Sequence, residues 1–213
     1  MNKLKTYNFE QRTPEWEAMR LGRTGGSEAI GLSTDARSKT LLITKLAEIL
    51  TGSIPEQFTS EAMQDGIDNE PIAIAEYEAR EFCAVNHVGY ITNDDYQYLG
   101  LSPDGLVYCK LFGDDSTAII GAVEVKCPQP KSHIKCILED KVPAEYRNQV
   151  AQYFVILPDL EWVDFVTYNA AVTSKPYHKI RVTRQDYTKL IQDHLAGYNK
   201  YVAKLEDALT KFE

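Results

Sequence analysis

The sequence predicts an α/β protein built on a central mixed β-sheet flanked by helices, and three observations carry that prediction. The first part of the chain alternates helix caps with apolar stripes of helical period. From about residue 88 the texture changes to short runs of β-branched and aromatic residues punctuated by Gly, Asn and Asp. A helix interrupts those strands and a long amphipathic helix closes the chain, which places helices on the sheet's faces.

Taken in order, "TPEWEAMRLG" predicts a short helix capped by Thr13, with Pro14 in its first position and Gly22 as its stop. "GGSEAIGL" opens a second short helix on Ser27. "SKTLLITKLAEILTG" places Leu42, Leu46, Ile49 and Leu50 on one stripe ending at Gly52. A further helix is expected from about Asn69, with Pro71 in its first turn and Ile72, Ala75, Tyr77 and Phe82 on its apolar side. "GYIT", "YQYLGL", "GLVYCKLF", "TAIIGAVEVKC", "WVDFVTYN" and "YHKIRVT" read as strands, and "GDDS" (113–116) as a hairpin turn. The interrupting helix runs from about Ala144 to Ile156. The last runs from about Arg184 to Phe212, with Leu190, Ile191, Leu195, Tyr198, Val202, Leu205 and Leu209 along one side. No repeat, low-complexity stretch or Gly/Ser linker divides residues 1–213, so a single domain is expected.

Composition narrows the function classes. The chain has 213 residues, 44% hydrophobic and 25% charged, as an ordinary globular protein does. No apolar run approaches a membrane span, and the opening "MNKLKTYNFEQRTPEW" lacks the apolar centre of a secretion signal. The four cysteines form no C-x-x-C pair, so free thiols in a reducing cytoplasm are expected rather than a zinc site, an iron–sulfur cluster or a disulfide framework. The net charge of −8 argues against a protein that coats nucleic acid nonspecifically. The charge is uneven, however: residues 1–45 hold eight Lys/Arg against five Asp/Glu, leaving the remainder strongly acidic. A positive rim lining a cleft on an acidic body still holds a phosphate backbone.

The chemistry concentrates in "SPDGLVYCKLFGDDSTAIIGAVEVKCP" (102–128). Strand alternation puts Glu124 and Lys126 on one face, with Val123 and Val125 on the other. An exposed cross-strand ion pair would account for Glu124 and Lys126 alone. Asp104 changes the balance: if its strand pairs with that of Glu124, two carboxylates meet at the open end of the hairpin. Their repulsion is relieved by a hard divalent cation with oxygen ligands. A neighbouring Lys126 then orients or deprotonates a water or stabilises charge on a phosphate, a combination that phosphodiester hydrolysis requires.

At these residues the chain resembles a known family. P-D-x19-E-V-K matches the signature of the PD-(D/E)XK nucleases, whose core is restriction-endonuclease-like. The surroundings are similar to the lambda exonuclease family of YqaJ-type viral recombinases. "QRTPEWEAMRLGRTGGSEA" resembles that family's opening, "GIDNEPIAIAEYE" its G-x-x-x-E-x-x-A helix, "LGLSPDGLV" and "AVEVKCP" its acidic and lysine motifs, and "YRNQVAQYFVI" its Q-x-x-x-Y helix. The two glycines of "RTGGSEA" depart from the usual small residue and Thr. The segment after Val142 is brief, implying a short arch over DNA.

The resemblance implies a role for each residue. Asp104 and Glu124 would be metal ligands with the Val125 backbone carbonyl, and Glu70 would face the same region and bind a second ion. Lys126 would be the catalytic lysine. Gln149 would contact substrate phosphate or the attacking water, although Gln152 offers an alternative register. Arg20 and Ser27 would hold the terminal 5′-phosphate. The cofactor would be Mg²⁺, one or two ions, with Mn²⁺ able to substitute. The activity would be 5′-to-3′ digestion of double-stranded DNA ends to mononucleotides, leaving 3′ single-stranded tails for recombination. The partners would be a single-strand annealing protein and further copies in a ring-shaped homotrimer, in the cytoplasm of a bacterial host, encoded by a phage or prophage. An endonuclease using the same site and a non-catalytic nucleic-acid-binding protein are the alternatives. His133 is expected at a substrate rim or on the surface, and Trp16 and Trp162 are expected to anchor the core.

Overall fold

The computed structural model describes residues 3–55, 60–110 and 117–213. Its centre is a four-stranded sheet of β3 (Gly105–Lys110), β4 (Thr117–Lys126), β5 (Trp162–Tyr168) and β6 (Tyr177–Thr183), adjacent in that order. β3 and β4 pair antiparallel, β4 and β5 parallel, and β5 and β6 antiparallel. The sheet is therefore mixed and lies among helices, as the sequence predicts. The "GDDS" turn lies outside the described residues. A parallel pair needs a crossover; here residues 127–161 supply it, carrying α4 (Pro130–Glu139) and α5 (Arg147–Ile156).

The helices differ from expectation in instructive ways. α1 (Pro14–Arg20) starts as predicted, with the Thr13 hydroxyl accepting from the Trp16 N–H. The next segment is a 3-10 helix, Gly26–Leu32, opened at Gly25 rather than Ser27, because the Glu28 carboxylate takes the Gly25 N–H. α2 (Asp35–Thr51) ends at Gly52 as expected, but buries Ser38, Leu41, Lys45 and Glu48; Leu42, Leu46 and Ile49 are only partly covered and Leu50 is exposed. α3 (Glu61–Glu81) begins well before Asn69, capped by Ser60, so Pro71 lies inside it. Its inner side is Ala73, Ile74 and Tyr77, while Ile72, Ala75 and Phe82 face outward. α6 (Thr188–Leu209) closes the chain with a short 3-10 turn, Thr210–Phe212.

Two further elements were not anticipated. β1 (Leu4–Tyr7) pairs antiparallel with β2 (Tyr90–Asn93) in a separate ribbon. α4 forms where no element was assigned from the sequence, with Pro130 in its first turn. "YQYLGL" does not form a strand and contributes only the isolated bridges of Leu99 and Leu101.

The sheet separates two apolar layers. On one face Ala122, Phe165 and Val163 pack with α5 and α6 through Phe154, Ile156 and Tyr201. On the other, Val123, Val125 and Val166 pack against Ala73, Ile74 and Tyr77 of α3. Alternation along β4 therefore turns Glu124 toward the α5 layer. No helix among the described residues is long and apolar enough to cross a membrane.

Candidate active site

The hairpin register brings the predicted acidic residues together. Gly105 pairs with Val123, so Asp104, one residue before β3, lies beside Glu124. Asp104 Oδ2 accepts the Val125 N–H at 2.7 Å, which fixes its carboxylate against the edge of β4. Glu124 is almost fully buried, at 1% exposure, which is tolerable only because both its oxygens are occupied. Oε1 receives Lys126 Nζ at 2.5 Å and Gln149 Nε2 at 2.6 Å, and Oε2 receives the Tyr153 hydroxyl at 2.7 Å. Tyr153 in turn accepts the Asp104 backbone N–H. One phenol thus links the two acidic positions.

The register left open between Gln149 and Gln152 is resolved by this geometry. Gln149 reaches Glu124, whereas Gln152 is fully buried and donates to the Thr24 and Gly100 carbonyls at 2.9 Å each. Both lie on α5, three positions apart, so one faces the acidic cluster and the other the adjoining loops.

These groups open onto a cleft of about 840 Å³, whose lining includes Arg20, Ser27, Glu70, Asp104, Glu124 and Lys126. Arg20 lies with its guanidinium 4.1 Å from the centre of the Trp16 ring, and the Trp16 Nε1–H donates to Ser102 Oγ at 2.8 Å. Trp16 is therefore a platform in the cleft wall rather than a core anchor. Gln11 Nε2 donates to the Pro103 carbonyl at 3.3 Å, tying the N-terminal segment to the turn before Asp104. Trp162 is also only partly buried and carries the Arg181 guanidinium at 3.9 Å. His133 is not at a rim or on the surface, where the sequence placed it, but fully buried on α4, in contact with Thr167 Oγ1 and the Lys175 carbonyl.

Burial and charge act on the titrating groups in concert. Desolvation, then repulsion from Glu124, raises the Asp104 carboxyl well above its ordinary range, with Lys126 and the Val125 N–H pulling the other way. Glu70 is raised by desolvation and by Glu124, against Arg12 and Lys126. Burial favours a neutral Lys126, but Glu124 and Asp104 outweigh it and raise its pKa. Cys127 is pushed up to about 12, chiefly by burial. Crowded carboxylates that resist ionisation suit a divalent cation, and the donors are all oxygen. Among the described residues no three His, Cys, Asp or Glu side chains already form a ligand cluster. Two carboxylates nevertheless fit Mg²⁺, which binds through one or two and keeps several waters.

Sequence reasoning had singled out every residue of this cluster except Tyr153 and Tyr146. Tyr146 places its ring 5.3 Å from Lys126 Nζ. The spacing of Gln149 and Tyr153, one helical turn apart, was the available signal.

Known proteins share the fold that carries this cleft. The alkaline exonuclease LHK-Exo of Laribacter hongkongensis is 30% identical, with a TM-score of 0.81 over 94% of this chain and 96% of that one. Its structure in complex with dAMP matches equally well. A phage-related exonuclease of Haemophilus somnus 129PT shares the fold at 14% identity and a TM-score of 0.57, over 97% of this chain and 98% of that one. No curated protein sequence matches. The core is the PD-(D/E)XK arrangement, and the YqaJ-like viral recombinase domain model matches residues 15–157. The chain belongs to the YqaJ-like viral recombinase domain family.

Proposed function

We propose that the protein is a metal-dependent exonuclease that digests double-stranded DNA from its ends, releasing mononucleotides from the 5′ strand and leaving 3′ single-stranded tails. The observation that carries this reading is the shared cleft: Asp104, Glu124, Lys126 and Gln149 line the same concavity as Arg20 and Ser27. Kinship with an alkaline exonuclease, one of whose structures holds dAMP, supports the same chemistry and the same kind of product.

Asp104, Glu124 and the Val125 carbonyl would hold a divalent cation such as Mg²⁺, with Glu70 available to a second. Such an ion, when bound, supplies Lewis-acid polarisation of the phosphate and of the attacking water. The chain's own groups do the rest. Lys126, as an ammonium, donates to a non-bridging phosphate oxygen and offsets the charge that grows in the transition state. Gln149, anchored on Glu124 Oε1 through its amide N–H, presents its remaining groups to the water or the phosphate. Arg20 grips the terminal 5′-phosphate with a planar fork, and the Ser27 hydroxyl adds a donor. The acidic body and more basic N-terminal segment are compatible with a ring-shaped trimer around DNA. That ring and an annealing-protein partner belong to the same proposal.

The test uses one plasmid, covalently closed or linearised with 5′-phosphate ends, incubated with protein and Mg²⁺. Acid-soluble nucleotide should appear from the linear form only and vanish in Lys126→Ala. Duplexes labelled at the 5′ or 3′ terminus fix the direction, and early release of the 5′ label is expected. Cutting of the closed circle would replace this reading with an endonuclease.

A further inference from the structure

The buried face of α2 carries a charge that fold stability alone does not call for. Lys45 is 2% exposed, yet its Nζ lies 2.9 Å from Glu28 Oε1 and 2.9 and 3.2 Å from the two oxygens of Glu48. Each carboxylate uses an oxygen elsewhere: Glu48 Oε2 accepts the Gly22 N–H and Glu28 Oε2 accepts the Gly25 N–H, both at 3.0 Å. One ammonium thus clamps two acids that hold opposite ends of the turn Gly22–Gly25. Gly22 adopts φ +70°, a backbone that side-chain-bearing residues rarely take, so the turn needs holding. Buried ion pairs contribute little net stability compared with apolar packing, and their best-attested use is to fix a register.

The turn connects Arg20 to Ser27. Just beyond it, Gly26 approaches Gln149 so closely that a Cβ there would lie 3.2 Å from Gln149 Cγ. Gln149 in turn contacts Glu124. A displacement of the turn therefore moves both the Arg20 and Ser27 grip and the side chain on the catalytic carboxylate.

We propose that Lys45, with Glu28 and Glu48, is a positioning residue that fixes the distance between the 5′-phosphate grip and Glu124, and so sets which phosphodiester is cut. The inference rests on the proposed roles of Arg20 and Ser27. Lys45 touches neither substrate nor cleft, and acts only through the turn.

The experiment has two readouts. Affinity for a duplex bearing a 5′-phosphate is compared with that for the 5′-hydroxyl duplex, by fluorescence anisotropy in a Lys126→Ala background that prevents digestion. Lys45→Met/Glu48→Gln removes the clamp and neutralises the more buried of its two acids, leaving the partly exposed Glu28 carboxylate without its cation, so melting temperature is followed alongside. The preference for phosphate should fall roughly tenfold, the scale of one charge-assisted hydrogen bond, with affinity for the hydroxyl duplex unchanged. In the otherwise active protein the same pair of substitutions should release dinucleotides among the mononucleotides, and Lys45→Arg should restore single-nucleotide products. A preference for phosphate and a product length both unchanged in the double variant would overturn the role of Lys45 alone. No preference for phosphate in the starting protein would overturn the reading of Arg20 and Ser27, and this inference with it.

Discussion

Replacing Tyr153 by Phe removes one oxygen from a fully buried ring and leaves the packing intact. That oxygen makes two interactions: it donates to Glu124 Oε2 at 2.7 Å and accepts the Asp104 N–H. A hydrogen bond to a charged partner contributes about 1.5–3 kcal/mol, and an orphaned buried N–H costs about 1–3 kcal/mol. The two losses share one atom and do not add in full, so about 2–4 kcal/mol of stability should go. In a chain of this length that lowers Tm by roughly 4–16 °C. The catalytic effect is separate. Glu124 keeps Lys126 and Gln149 on Oε1, while Oε2 loses the Tyr153 donor and the Asp104 carboxylate keeps the Val125 N–H. At a temperature where the variant is folded, the magnesium concentration giving half-maximal nucleotide release should rise and the saturated rate should fall roughly tenfold, about 1.4 kcal/mol of barrier. Calorimetry and a magnesium titration on linear duplex measure both. A Tyr153→Phe variant with unchanged Tm and unchanged magnesium dependence would refute the bridging role of the hydroxyl.

Other expectations follow from the same contacts. Asp104 has a raised pKa, so the folded state binds its proton more tightly than the unfolded chain, and its contribution to stability declines as pH climbs from the unfolded pKa through the folded one. Asp104→Asn should accordingly raise Tm at neutral pH in chelator, abolish cleavage and erase any Tm increase on adding Mg²⁺; a lower Tm in chelator would contradict the repulsion. Arg20→Lys keeps the charge but loses the fork that lies on Trp16. It should raise KM for 5′-phosphorylated duplex roughly tenfold, while an equal change on 5′-hydroxyl duplex would deny the phosphate contact. Gln152→Ala strips a donor from the Thr24 and Gly100 carbonyls, of which Thr24 keeps the Gly100 N–H, and should cost about 3 kcal/mol in urea unfolding through the lost side chain and hydrogen bonds. A loss under about 1 kcal/mol would mean that those carbonyls find other partners.

The strands of the main sheet were legible because β-branched residues between Gly and Asp punctuation leave few other readings, and the mixed character of the sheet followed from a helix between strands. Asp104, Glu124 and Lys126 were legible for a different reason: charge in a run that otherwise wants burial requires explanation. α2 was misread because its apolar residues suggested the buried face, while the actual buried face contains an ion cluster that makes sense only with Glu28 and the Gly22 turn in place. α3 was misread because Pro71 resembles a helix start, whereas Ser60 supplies the cap earlier. Glu70 consequently lies mid-helix, where a favourable helix dipole cannot account for it. α4 went unseen because its few apolar residues divide between faces: Cys136 points inward, beside the polar His133, while Ile134 and Leu138 are exposed. Tyr153 was visible as a residue but not as a bridge, since its partners lie in two other elements.

The mixed sheet also bears on when activity arises during synthesis. Asp104, Glu124 and Lys126 leave the ribosome well before Phe165, the residue that Glu124 faces across the parallel pair. Parallel pairing over a long crossover requires loop closure before any contact rewards it. Gln149 and Tyr153, which complete the carboxylate's surroundings, lie on that same crossover. A nascent or partly folded chain thus carries the acidic motif without the arrangement that makes it work. The candidate site is therefore completed only when the topology closes, so its acidic motif and the groups around it come together late in folding rather than on the nascent chain.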